Sequence, residues 1–239
     1  MIRACWSIFA REYLGFFRTP LGWVVVAVFA ALSGFVFARQ TLMPGEVASM
    51  RGFFQVWWAL LMVVAPAVSM RLVSDELRAG TLEPLLATPA PDGVVIAGKY
   101  FAGLAFVATM LAPTLLYVLL LLRFGDPELG PIIAGYLGLL ALAMVYLAVG
   151  TLISTFTASG SLAFLATFIA LLAAEVVSRV VAPVAPEWAR EALFALSVND
   201  RMADFAKGLI VLEHVVFFIA VSVWLLILAT LSLQSRRWR

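Results

Sequence analysis

Apolar residues fall into long blocks along this chain, separated by short polar breaks. A helix that crosses a bilayer needs about 20 predominantly apolar residues. Six stretches reach that length: Leu21 to Ala38, Phe53 to Met70, Tyr100 to Leu122, Pro131 to Ser154, Ser161 to Ala182 and Leu209 to Leu233. The pattern predicts an all-α integral membrane protein, one domain over residues 1–239, with six transmembrane helices.

Three segments lie outside these blocks. In the first, Met1 to Thr19, the residues Ile2, Trp6, Phe9, Tyr13 and Phe16 recur at three- and four-residue spacing, and Arg3, Arg11 and Arg18 fall off that stripe. This predicts an amphipathic interfacial helix that ends before Pro20. Such a helix serves either as an anchor or as a mechanical element.

The second segment, Arg71 to Lys99, is the longest loop on its side. Ser74 can cap a short helix through Leu77, and Gly80 can end it. Thr81 can cap another that carries Leu82, Leu85 and Leu86 on one face, with Thr88-Pro89 as its stop. Asp92 then caps the helix that becomes the third span. An apolar face on so short a helix needs a cover, either the protein's own helices or a partner.

In the third segment, Pro183 to Gly208, Pro186 suits a helix start, with Trp188, Ala192, Leu193 and Leu196 on one face. Asn199 can cap a second helix bearing Met202, Phe205, Ala206 and Leu209. Two amphipathic helices just before a span read as interfacial or re-entrant pieces that roof one side of the bundle.

Charge orients the chain. With the N-terminus inside, Arg3, Arg11, Arg18, Arg71, Arg78, Lys99, Arg236, Arg237 and Arg239 fall on inner segments. Arg39, Arg51, Arg123, Arg190, Arg201 and Lys207 fall on outer ones. The bias and the even number of spans place both termini of a multi-pass membrane protein in the cytoplasm. Arg3, Arg11 and Glu12 interrupt the chain ahead of its first long apolar run, so a cleaved signal peptide is not expected.

Composition then removes function classes. Residues are 64% hydrophobic and 13% charged, against about 25% charged in soluble domains. Net charge is +2 with no basic stripe, so nucleic acid is not an expected partner. One cysteine and one histidine make no zinc or haem site within a single chain. No phosphate-binding glycine–lysine loop occurs, so any ATP would be hydrolysed by another chain.

Ionisable residues inside spans are the first functional suspects. Glu175 and Arg179 stand four apart on the fifth span, where they can neutralise each other. They form either a structural intramembrane ion pair or a gate or substrate contact. Glu213 and His214 open the sixth span, either as an interfacial contact or as a proton relay. No carboxylate falls at the centre of a span, which weighs against a self-contained secondary transporter. Ser159 and Ser161 have no base in sequence reach, which weighs against an intramembrane protease.

The run Met70 to Pro89, with Glu76, Gly80, Thr81, Leu82, Glu83, Leu85, Leu86 and Pro89, followed by Gly98-Lys99, resembles the signature of ABC-2 type permease subunits. The likeness combines order, spacing and position between the second and third spans. The run Asn199 to Ile210, followed by Val215 to Phe218, is similar to the gliding-motility-type branch. The resemblance implies an interfacial first helix, a cytoplasmic coupling helix between spans 2 and 3, and short outer-side helices before span 6. It also implies a second permease copy or paralogue, and two copies of a separate ABC ATPase that binds ATP and Mg. Glu76, Gly80, Thr81, Leu82, Glu83, Leu85, Leu86, Pro89 and Lys99 would couple the two kinds of subunit. No cofactor and no catalysis are expected in this chain. A non-transporting assembly subunit, passing ATP energy to a periplasmic machine, fits the same residues.

Overall fold

The computed structural model describes residues 2–40, 49–81, 91–125, 127–186 and 198–236. The described residues are helical and contain no strand. Six of their helices are long and apolar enough to cross a membrane, so the chain is an all-α, multi-pass membrane protein.

Helix α1 covers Ile2–Arg18 and α2 covers Pro20–Gln40. Next come α3, Arg51–Ser69, and the short α4, Ser74–Ala79. Helix α5, Asp92–Leu111, passes through a 3-10 turn at Ala112–Thr114 into α6, Leu115–Phe124. Pro113 lies in that turn and has no N–H to continue the α ladder. Helix α7 covers Leu129–Ser154. Helix α8, Gly160–Val176, ends in a π turn at Val177–Val181. Helix α9 covers Val198–Ala206 and α10 covers Leu212–Arg236.

Helix α7 is the axis of the bundle. Its apolar window is 61% buried, against 44% or less for every other span. It packs against α3, α5, α8, α9 and α10. Part of the reason is in its sequence, which has glycine where Phe54, Phe205 and Ser69 come closest. A Cβ at Gly135 would strike the ring of Phe54, and one at Gly138 would lie 2.9 Å from Phe205. Backbones approach closely at such positions, which is how helices gain packing energy in lipid.

Several local readings change. The third span starts at Asp92, eight residues before Tyr100, because the lead-in Asp92 to Lys99, polar only at its two ends, is helical and largely buried. Asp92 is its first helical residue, with Pro91 in the cap position. Ser74 likewise opens α4 instead of capping it, because its hydroxyl donates back to the Met70 carbonyl. Gly80 does end α4. It adopts φ 67°, and the N–H of Thr81 returns to the Glu76 carbonyl at 3.1 Å. That left-handed closure is open to glycine at no steric cost. Thr81 therefore closes the helix before it. The predicted helix carrying Leu82, Glu83, Leu85, Leu86 and Pro89 lies outside the described residues, as does the one carrying Trp188, Ala192, Leu193 and Leu196.

The fifth span starts at Gly160 with a cap that the pattern did not reveal: Ser159 Oγ accepts from the Leu162 N–H at 3.5 Å. The sixth span starts at Leu212, and Leu209 lies past the end of α9, exposed, not on its buried face.

Candidate functional site

Helix α1 carries three sectors of side chain. Cys5, Ile8, Glu12 and Phe16 form the sector that faces α5, and Ile8 and Phe16 are buried there. The predicted stripe is offset from this one: Trp6 is 67% exposed, and Phe9 and Tyr13 are half-buried. The apolar periodicity located two adjoining surfaces as one.

Gly98 sets how closely α1 approaches. A Cβ there would lie 2.9 Å from Ile8 Cγ2 and 3.2 Å from the Cys5 carbonyl oxygen. Further along, Phe16 stacks on Phe106 at 4.5 Å between centroids. Tyr13 Oη and Thr109 Oγ1 are hydrogen-bonded at 2.8 Å.

Next to Gly98, Lys99 is 1% exposed and meets two carboxylates from different elements. Its Nζ lies 3.1 Å from Glu12 Oε1 on α1 and 2.9 Å from Glu76 Oε1 on α4. Arg11 Nη2 closes the cluster from outside, 2.8 Å from Glu12 Oε1 and 3.1 Å from Glu76 Oε1. Two cations and two anions thus sum to zero. A buried ammonium is retained when its charge is matched and hydrogen-bonded this way. Glu76 Oε2 is buried with no hydrogen-bond partner. The cluster locks three elements together: the first helix, the loop helix after span 2 and the entry of span 3.

Of the sequence candidates, the structure brings together Glu76 and Lys99. Gly80 and Thr81 lie at the end of the helix that carries Glu76. Arg11 and Glu12 are the members sequence reasoning missed. The signal was present: Glu12 sits four residues from both Ile8 and Phe16, a carboxylate inside a buried stripe, and such a group requires a cation.

The second candidate lies on span 5. Arg179 Nε and Glu175 Oε1 are in ion-pair contact at 2.5 Å, with side chains 59% and 16% exposed. The Arg179 guanidinium also lies 5.7 Å from the ring centroid of Trp58 on α3. The π turn begins between the two charged residues, two positions after Glu175. Such turns inside α-helices are rare and recur at functional sites.

The third is the turn between α9 and α10. Met202 and Phe205 are buried against α7 around Gly138. Gly208 turns the chain at φ 89° against Pro131. Asp204 then ties the turn together, with Oδ2 3.1 Å from His214 Nε2 and Oδ1 3.2 Å from Lys207 Nζ. The hydrogen bond with His214, then that with Lys207, holds the Asp204 carboxyl below its usual range. His214 thus pairs with Asp204, and its neighbour Glu213 is exposed.

The chain matches no protein-family description and no curated protein.

Proposed function

We propose that this chain is the membrane-spanning permease subunit of an ATP-driven exporter of the ABC-2 type, in the bacterial plasma membrane with both termini cytoplasmic. A separate ATPase, present in two copies, docks on the loop after span 2, and a second permease copy or paralogue completes the path. One observation carries this reading: buried Lys99 joined to Glu12 and Glu76. A loop that only connected two spans would need no buried ion cluster. A loop that receives force needs a stiff connection to the helices it must move, and this cluster supplies one to α1 and to span 3. Glu76, Gly80 and Lys99 are also residues of the motif that carries the resemblance.

The chain has no nucleotide loop of its own, so energy must arrive from a partner. In the sequence, Leu82, Leu85 and Leu86 follow Glu76 and flank or neighbour Glu83, apolar residues among charges, the composition of a protein contact. Closure of the ATPases would push the Gly80–Leu86 segment. The ion cluster would carry that push into α1 and α5 and tilt the spans.

The test is co-purification. Leu85→Asp with Leu86→Asp should leave the protein inserted and release the ATPase from detergent-purified complexes. An ATPase retained at normal stoichiometry would move the coupling role to α1.

A further inference from the structure

We propose that α1 binds an anionic phospholipid surface, and that the charge of that surface sets where α1 rests. This inference does not depend on the exporter reading. It starts from the sector of α1 that the protein covers only in part: Trp6 is exposed, and Phe9, Tyr13 and Phe17 are half-buried. Trp6, Phe9 and Tyr13 stack one on the next and Tyr13 meets Phe17 edge-on, with centroids 5.1, 5.9 and 5.3 Å apart. The series does not stop at the end of α1. Phe17 meets Trp23 at 5.2 Å, and the Trp23 indole donates to the Phe17 carbonyl at 3.0 Å.

Trp23 identifies the occupant. It is 61% exposed in the first turns of span 1, where a bare indole on a spanning helix faces lipid. The row runs without a break from Trp23 to Trp6, which is 67% exposed, so lipid covers the open edge of the row on α1 as well. Amphipathic rings sit at headgroup level because one edge is apolar and the other polar.

The charge next to the row selects the lipid. Arg3 and Arg18 are exposed, stand outside the ion cluster and lie on one side of the helix beyond the rings. The one acid of α1, Glu12, is neutralised within the cluster by Lys99 and Arg11. The exposed polar edge of α1 is therefore purely cationic. Each arginine near an anionic leaflet contributes about 1 kcal/mol of attraction, about fivefold in affinity. A zwitterionic leaflet offers no such term. Glu12 and Arg11 also belong to the buried cluster, so leaflet charge acting on α1 reaches Glu76 and Lys99.

The full chain in nanodiscs tests this without any ATPase. Ser7 is exposed between the arginines and takes the probe: Ser7→Cys, with Cys5→Ser, carrying an environment-sensitive fluorophore. Its emission should shift to the blue as phosphatidylglycerol replaces phosphatidylcholine, and raised salt should reverse the shift. Arg3→Gln with Arg18→Gln should weaken the phosphatidylglycerol response by about fivefold per arginine. Arg78→Gln, an exposed arginine on α4, should leave the response intact. Emission that ignores lipid charge would overturn the proposal, since a row covered by protein behaves that way. So would an equal loss in Arg78→Gln, which would reduce the effect to net charge. The melting temperature of each variant in detergent shows whether the bundle is intact.

Discussion

Lys99 Nζ sits 2.9 Å from Glu76 Oε1, and only 1% of the lysine side chain is exposed. The two residues lie 23 positions apart, across the loop that separates spans 2 and 3. Their contact fixes how α4 stands on the entry of span 3, and Glu12 brings α1 to the same point.

Removing Lys99 should therefore cost far more than removing Arg11. Lys99→Ala leaves Glu12 and Glu76 facing each other with one outer cation, and breaking a buried pair costs about 3–5 kcal/mol. Arg11 is 50% exposed, so Arg11→Ala should cost no more than about 1 kcal/mol. Thermal unfolding of the detergent-solubilised variants checks the ranking, and equal melting temperatures would count against a buried cluster.

The approach of α1 to α5 depends on the missing side chain at position 98. Gly98→Ala should destabilise by about 1–3 kcal/mol, because its methyl would press on Ile8 Cγ2 and the Cys5 carbonyl. Ile8→Ala removes the obstructing methyl groups, so the double variant should recover part of the loss. A double variant as unstable as the sum of its parts would place the strain elsewhere.

The six spans were legible because lipid as solvent forces a simple rule: about 20 apolar residues and every backbone group bonded within the helix. Places where that rule meets protein were less legible. On α1, periodicity marks residues that avoid water, and both α5 and the uncovered surface beside it satisfy that condition. Hence Trp6 and Phe16 looked equivalent, although one is 67% exposed and the other 8%. The cluster around Lys99 was half legible. Glu76 and Lys99 stood in a recognisable motif, but their partners Arg11 and Glu12 come from a segment some 65 residues earlier than Glu76, a distance no local pattern encodes. The π turn after Glu175 was not legible, because the apolar run Val180-Val181-Ala182 reads the same in α and π form.

Asp204 gives the turn between α9 and α10 a defined pH dependence. Its carboxyl is held below the usual range by the hydrogen bond with His214, then by Lys207. A depressed carboxylate contributes stability above its unfolded pKa of about 3.9, and loses it as pH falls through the lower folded value. Amides of residues 198–211 should be less protected, relative to intrinsic exchange, below about pH 4 than at pH 6. His214→Ala should shrink that difference, since it removes the largest cause. Exchange rates that follow only intrinsic chemistry across that range would rule out the tie.

Glu175 and Arg179 make the last test, because their two side chains differ so much in exposure. Glu175 is 16% exposed and Arg179 59%, and they sit about 22 Å along span 5 from its start. Glu175 is the less exposed of the two, so its charge depends more on the guanidinium beside it. Arg179→Gln strands the less exposed member and should be the worse single change. Glu175→Gln leaves a cation that still has the face of Trp58 at 5.7 Å, and its long stem can carry the charge towards the membrane surface. Neutralising both leaves no stranded charge, so the double variant should be more stable than Arg179→Gln alone, read as melting temperature in detergent and as yield from membranes. The reasoning is that breaking a pair costs more than replacing it whole. A double variant no better than Arg179→Gln would mean that the two residues act separately, and that Glu175 draws its stabilisation from some other group.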